Sequence, residues 1–582
     1  MTQTPYLRIR LSLAIACLSV LVLTGTLGAA PRFPLKVGPT GRYLVDQNSV
    51  PFLMTGDSPQ AMIGDLSVAD AELFFANRRS HGFNTVWINL LCSSYIGCNS
   101  DASTFDGIPP FNAPYDFSTP NEAYFARAEA ILRLAANYGF LVILNPAETG
   151  DWLSYLYFNG EDKCRAYGQY LGQRYAGFDN IIWMHGNDYQ DWGPDADRFV
   201  TAVARGIRDT AGHHLQTVEL NFFVSSSTDD PLWRSLIDLN AAYTYEPVYQ
   251  EVLKDYNRAD VLPVFLVEAA YEFENATNQR LRAQAYWAIL SGATGHLYGN
   301  HYTWQFIDGW KDTLDSTGAI QMGHVAALFE PRPWWNLVPD QDHATVVSGR
   351  GQFGEIDYAT AARTPDGRLV MAYIPYARTV TVDMSRLSGP AVARWYDPSR
   401  GTFSDISGST LPNSGLVSFT TPGDNADGPG NEDWVLVIEA VSVSQPSFIE
   451  LSIADSYRPG NQIDVLLRAF NAPEQVSREL FTGVIAPDGR TIVYFTGPNV
   501  IGGTATPESP ASLRPLARVS PGEFRSFWEG NPVLTARIPE GTPPGVYTWF
   551  AALVVPGALA TTNRFDLHNL DTVALRSITL RP

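Results

Sequence analysis

From about Leu35 to Glu330, short apolar runs alternate with longer amphipathic ones. The runs "FLMTGD", "TVWINLL", "LVILNP", "NIIWMHGND", "LQTVELN", "LNAAYTYEP", "PVFLVEAAYE" and "GHLYGNH" have the texture of buried strands. Most are joined by helical patterns. In "SVADAELFFANRRSHG", Ser67 stands where an N-cap belongs and Gly82 lies just past the last turn. Eight such strands with mostly helical connections predict a (β/α)8 TIM barrel, entered through a hairpin in "LKVGPTGRYLVDQNSVPFLM". An open doubly wound sheet is the alternative, but no glycine-rich phosphate turn follows the first strand.

After "PRPWWNLVPD" (331–340) the rhythm changes to short strands and closely spaced turns, as in "GRLVMAYIP", "RTVTVDMS" and "DWVLVIEA". This predicts a small all-β domain over 341–442 and an immunoglobulin-like β-sandwich over 443–582, behind a barrel of 31–340. Residues 1–30 read as a cleavable export signal. Arg8 and Arg10 precede "LSLAIACLSVLVLTG", and "GAA" ends at Ala30. The mature chain is therefore expected to be secreted, periplasmic or at the cell surface, with no stable membrane insertion, since no other segment reaches the ~18–20 apolar residues of a span. Cys17 leaves with the signal. Cys92 and Cys98 bracket "SSYIG", where a small disulfide suits an oxidising compartment.

Composition narrows the chemistry. The 582 residues carry 60 acidic against 40 basic side chains, a formal net charge of −20, which disfavours a nucleic-acid partner. Aromatics reach 12% and cluster near Gly/Asn loops, which suits stacking on sugar rings. No CxxC pair occurs, and the five-residue spacing of His296 and His301 does not place two ligands on one helical face. No metal and no cofactor are expected.

The active site of such a barrel lies at the carboxyl ends of its strands. Those ends supply Asp57, Asn89, Asn145 with Glu148, His185 with Asn187 and Asp188, Asn221, Tyr245 with Glu246, Glu268 with Glu272, and Tyr298 with Asn300 and His301. Asp188 closes the fourth strand. Glu268 closes the seventh after a wholly apolar run in which Val264, Leu266 and Glu268 are read as sharing one face. Desolvating a lone carboxylate there costs several kcal/mol unless it is paired or used. Two carboxylates across one mouth are what glycoside hydrolysis needs, one protonating the leaving oxygen and the other acting as nucleophile or base. The bland alternatives are a helix cap for Asp188 and an ion pair for Glu268.

The segments "GRYLVDQNSVPFLMTGDS", "HGFNTVWINLL", "NIIWMHGND", "VEAAYE", "LSGATGHLYGN" and "PRPWWNLVPD" resemble the apiosidase-like glycoside hydrolases over residues 33–340. The segment after them resembles the β-domain that often trails this catalytic domain and is named for collagen binding. The resemblance implies a barrel hydrolase with Asp188 as acid/base and Glu268 as nucleophile, working on a poly- or oligosaccharide. Asn187-Asp188 shortens by one methylene the Asn-Glu usual in the related retaining hydrolases. Retention is therefore expected if the carboxylate oxygens lie about 5–5.5 Å apart, and inversion at about 6.5–9.5 Å. Asp57 matches the family's "GD" turn. Ser58 and Pro59 depart from its Thr-Ala-Trp and remove an aromatic wall, so the resemblance does not carry over the sugar.

Among the remaining residues, His185 either meets a sugar hydroxyl, orients Asp188 or packs structurally. Tyr245 stands where a tyrosine steadies the nucleophile. Asn187, Tyr298, Asn300 and Trp304 are further substrate-binding candidates, while Trp87 reads as core. Glu272, four residues past Glu268, reads as opening the next helix. A rival from another class is a non-catalytic carbohydrate- or matrix-binding surface protein that uses the barrel as scaffold. A protease is disfavoured, as neither an HExxH motif nor a Ser-His-Asp arrangement is present.

Overall fold

The structure is a computed structural model. It describes residues 31–582 except 407–409, 442–446, 473–476, 521–522, 528–531, 557 and 562–571. The expected export signal lies outside the described residues, as does Cys17. Among the described residues no helix is long and apolar enough to cross a membrane.

Eight strands run parallel: β1 (Met54–Asp57), β2 (Thr85–Asn89), β3 (Leu141–Asn145), β4 (Ile181–Tyr189), β5 (Gln216–Leu220), β6 (Asn240–Thr244), β7 (Val264–Glu268) and β8 (Gly295–Tyr298). They hydrogen-bond in the order β5-β4-β3-β2-β1-β8-β7-β6. At the seam between β5 and β6, a short strand, Val224–Ser226, runs antiparallel along β6. Hydroxyls cross this seam: Thr217 donates to the Leu239 carbonyl at 2.9 Å, and Ser227 donates to the Val218 carbonyl while accepting from the Ala241 N–H. The sheet is thus a nearly closed, barrel-like cylinder.

Every residue of β2, β3 and β7 is buried, as expected of parallel strands covered on both faces. The outer layer comprises α1 (Val68–Ser80), α2 (Glu122–Asn137), α3 (Trp152–Tyr175), α4 (Pro194–Thr210), α5 (Val248–Tyr256), α6 (Asn278–Leu290) and α7 (Thr317–Phe329). Ser67 caps α1 as read from the sequence, its hydroxyl accepting from the Asp70 N–H at 3.1 Å.

Strand parity sorts the side chains. Met54, Trp87, Ile143, Met184, Tyr243, Phe265, Val267 and Leu297 fill the interior of the cylinder. Val86, Ile88, Val142, Trp183, Val218 and Leu266 pack outward against the helices. This corrects one sequence expectation. Val264 and Leu266 lie in the outer layer, so strict alternation would turn Glu268 outward as well; an irregularity at the strand end, described below, prevents it.

The remaining described residues are β-rich. Six antiparallel strands between Val338 and Ala440 face a three-stranded sheet across a shared apolar core. From Phe448 to Leu580, four- and seven-stranded sheets enclose a second core. Buried arginines tie the regions together. Arg282 on α6 donates to both oxygens of Asp433 at 2.6 and 2.8 Å. Arg394 bridges Glu439 to Glu450, and Arg468 reaches Asp405 at 2.7 Å.

Candidate active site

The fourth strand ends in an unusual turn of backbone. Gly186, Asn187 and Asp188 adopt φ of 92°, 83° and 48° in succession. Opposite β5 the register runs Gly186↔Glu219 and then Tyr189↔Leu220, which leaves Asn187 and Asp188 without partners. This bulge re-aims Asp188 into the mouth, as bulges beside active sites commonly do. Gly186 has no substitute here, because a Cβ on it would stand 1.9 Å from the Glu219 carbonyl oxygen. The seventh strand uses a similar device. The register steps from Ala242↔Leu266 to Tyr243↔Glu268, skipping Val267, and Glu268 turns toward the inward-facing tyrosines of β6.

The two carboxylates therefore meet a common set of phenols. Tyr95 donates to Asp188 Oδ2 at 2.7 Å. Tyr243 and Tyr245 both direct their hydroxyls at Glu268 Oε1, at 3.2 and 3.3 Å. Tyr243 also favours the ionised form of Asp188. Asp188 Oδ1 is buried without a partner.

A third acid completes the cluster. Glu219 on β5 is fully buried and points inward, and its side chain lies within hydrogen-bonding reach of Glu268. A proton shared between the two carboxyl groups makes that contact attractive, while the Asp188 backbone N–H favours the ionised form of Glu219. Burial raises the pKa of all three acids. For Glu219 the charges of Glu268 and Asp188 add to the rise, and for Glu268 that of Asp188 does. The phenol bonds work in the opposite direction on Asp188 and Glu268, as does the Glu219 contact on Glu268. Glu148, in the adjoining loop, is pushed up to about 7, chiefly by burial.

Glu219 and Tyr243 were not among the sequence candidates. Parity carries a signal for both, since Leu215-Thr217-Glu219 and Leu239-Ala241-Tyr243 each alternate onto the inner face.

The structure does not bring every candidate to this mouth. Asp57 follows the inward Met54 by three positions and points outward, where it is fully buried in an ion pair with Arg78 at 2.5 Å. His185 follows the inward Met184. It packs on Trp233 and bonds Gln216 Oε1 at 2.8 Å, and burial lowers its pKa to about 4, so it neither touches nor orients Asp188. Tyr298 and Asn300 are buried and committed to Glu272, which also accepts from Ser316 and the Gly318 N–H. Glu272 thus anchors a buried network rather than opening a helix; Thr277 caps α6. Trp304 is half-buried against Cys92, Ile96 and Cys98, its indole N–H on Glu274. Asn187 stays beside the mouth, its carbonyl oxygen Oδ1 accepting from Asn89 at 2.9 Å. Trp87 is core. Cys92 and Cys98 are joined, and Cys164 is free and buried. No cluster able to hold a metal ion is found among the described residues.

The family model described as "Apiosidase-like, catalytic domain" matches residues 39–336, half of the chain. The chain belongs to the apiosidase-like family. It is a glycoside hydrolase, and the binding-only alternative gives way. A second model, "Putative collagen-binding domain of a collagenase", matches residues 338–439. Among solved structures the chain is similar to a glycoside hydrolase family 5 protein from Bacteroides vulgatus, at 23% identity and a TM-score of 0.62, over 70% of this chain and 93% of that one. A structure titled "Glycoside hydrolase" is similar to the same degree, with 23% identity, a TM-score of 0.62, and 70% and 96% of the two chains covered. Both likenesses speak to the fold. No match is found among curated proteins.

Proposed function

We propose that this apiosidase-like protein is a secreted, retaining hydrolase of a poly- or oligosaccharide, built on a complete (β/α)8 barrel followed by two sandwich-like β-domains with boundaries near 340 and 442. Asp188 is the acid/base and Glu268 the nucleophile. The observation that carries this reading is the linked set of phenols that faces both carboxylates: Tyr95 donates to Asp188, Tyr243 and Tyr245 reach Glu268, and Tyr243 also favours the ionised form of Asp188. A separation of about 5–5.5 Å between the carboxylate oxygens corresponds to retention and about 6.5–9.5 Å to inversion.

The division of roles follows from the strands that carry the two acids, since burial raises both. Burial raises Asp188, so it holds its proton at a pH where an ordinary aspartate is ionised, and it can hand that proton to the leaving oxygen. Burial and the charge of Asp188 push Glu268 up as well, and the bonds it accepts from Tyr243, Tyr245 and the Glu219 carboxyl oppose that rise and favour the charged form that attacks. Glu219 keeps the shared proton. Once Glu268 has attacked the anomeric carbon, Asp188, now ionised, takes a proton from water and the glycosyl ester is hydrolysed. The Cys92–Cys98 disulfide supports an oxidising compartment.

The test is a screen of the purified chain against polysaccharides, with released sugars identified and the first-formed anomer read by proton NMR. Retention is expected. Glu268→Gln should lower turnover by about 10³-fold or more while leaving the fold intact. Near-normal activity in that variant removes Glu268 from the mechanism, and first-formed product of inverted configuration removes the nucleophile role.

A further inference from the structure

Beside the carboxylate cluster, the loop between β5 and Val224–Ser226 carries an aromatic pair that the chemistry above does not use. Phe222 packs on the rim of the interior cluster, and the next residue, Phe223, turns its ring to solvent with 62% of its surface exposed. The two rings lie 4.5 Å apart, and Phe223 stands edge-on to Tyr245 at 6.4 Å. Tyr245 is itself hydrogen-bonded to Glu268, so Phe223 is one tyrosine away from the reacting group.

Two further facts make this ring more than an ordinary exposed apolar residue. Its backbone sits at φ 81°, a strained conformation for a bulky side chain. The loop is also held firmly in that shape. The Phe223 carbonyl accepts the Tyr245 N–H at 3.0 Å, Val224 pairs with Thr244, and the Trp192 indole donates to Asn221 Oδ1 at 2.7 Å. Most of the ring faces water, so its contacts with Phe222 and Tyr245 bury only part of it within this chain. A ligand that covers the face would supply the missing contact.

We propose that Phe223, backed by Phe222, is a stacking platform for a sugar ring of the substrate adjacent to the one whose bond is cleaved. A pyranose or furanose presents a patch of C–H groups on one face and hydroxyls around its rim. The patch lies on the phenyl π-face, and the rim is met by polar groups beside it, of which Asn221 is the nearest in sequence. Because the platform is anchored through Tyr245, it fixes the chain of sugars relative to Glu268. This subsite rests on the hydrolase mechanism proposed above and adds a binding position that the paired acids do not require.

The experiment compares full-length wild type with Phe223→Ala and Phe223→Asn on two substrates of the same sugar: the polysaccharide that wild type degrades, and its monoglycosyl fluoride, whose leaving group is too small to reach the platform. The expected result is a loss of kcat/KM on the polymer, carried by KM, about tenfold larger than the loss on the glycosyl fluoride. Phe223→Asn, whose side chain tolerates a positive φ, should also melt about 2 °C above wild type, because the strain is relieved. Equal losses on both substrates, or a fall in melting temperature with Phe223→Asn, would mean that the ring merely holds the loop and would overturn the platform. Wild-type kinetics on the polymer would overturn it too. A wild type inactive on every glycan would instead remove the hydrolase mechanism on which the platform rests.

Discussion

Two regions of this molecule take carboxylates partly or wholly out of water, and they treat them in opposite ways. At the seams between the barrel and the β-rich regions each acid has an arginine. Arg282 forks onto Asp433, while Arg332 and Arg394 flank Glu439, and Arg394 and Arg468 flank Glu450. The three guanidinium groups of the second seam surround the ring of Phe403, with carbons 4.2–5.5 Å from its centroid. Burial alone would raise Glu439, but Arg332 and Arg394 override it and bring its pKa down to about 2. At the mouth, Asp188, Glu219 and Glu268 have phenols and each other, and all three are raised. The difference separates two uses of one chemical group. At the seams the paired acids fix geometry; at the mouth, acids raised by burial and left without a cation are held ready to exchange a proton.

The largest effect should come from breaking a seam. Arg282→Ala would leave Asp433 and Asp427 facing each other with no cation in a buried site. It should cost about 3–5 kcal/mol in urea unfolding. A loss under about 1 kcal/mol would mean that water enters the seam and that the contrast with the mouth is weaker than the geometry implies.

The two regions should also respond to pH with opposite signs. The folded pKa of Glu439 lies below the unfolded value of 4.5, so its contribution is fully present above 4.5 and is lost as pH falls toward about 2. The folded pKa of Glu219 lies above 4.5, so its contribution is present below 4.5 and is lost as pH rises from there through the folded value. Calorimetry across acid, mildly acid and alkaline buffers should therefore show stability falling on both sides. Glu439→Gln should flatten only the acid side. Glu219→Gln should flatten only the alkaline side and stabilise the protein there by about 1–2 kcal/mol. If Glu219→Gln destabilises at alkaline pH, Glu219 is not a protonated partner of Glu268.

The same contrast explains what could be read from the chain beforehand. The eight strands, the Ser67 cap and the change of texture near 340 follow from local patterns, and they put Asp188 and Glu268 at the ends of strands four and seven. A strand-end position, however, does not say which way a side chain points. Parity does, and it turns Asp57, His185 and Tyr298 away from the mouth while turning Glu219 and Tyr243 into it. Glu268 breaks parity through the skipped Val267, and Asp188 through the bulge after Gly186. Such irregularities depend on pairing between strands far apart in sequence, which no local window contains. The arginine partners of the seams are distant for the same reason: Arg282 and Asp433 are 151 positions apart.

The smallest effect sharpens the comparison at its finest point, the single phenol on Asp188. Tyr95 comes from a half-open loop tied by the Cys92–Cys98 disulfide and by bonds from Ser93, Ser94 and the Tyr95 N–H to Asp151. Its hydrogen bond favours the ionised form of Asp188, against the stronger push of burial. Tyr95→Phe removes that bond, so the pKa of Asp188 rises further and the acid stays protonated to higher pH. The alkaline limb of the kcat/KM profile should move upward, by less than about one unit for a single neutral hydrogen bond, with a few-fold loss at the optimum. If the disulfide serves to hold Tyr95 in place, replacing both cysteines by serine should shift the limb in the same direction and add nothing further in the Tyr95→Phe background. A downward shift would mean that Tyr95 does not donate to Asp188, and additive shifts would mean that the disulfide acts on the mouth by another route.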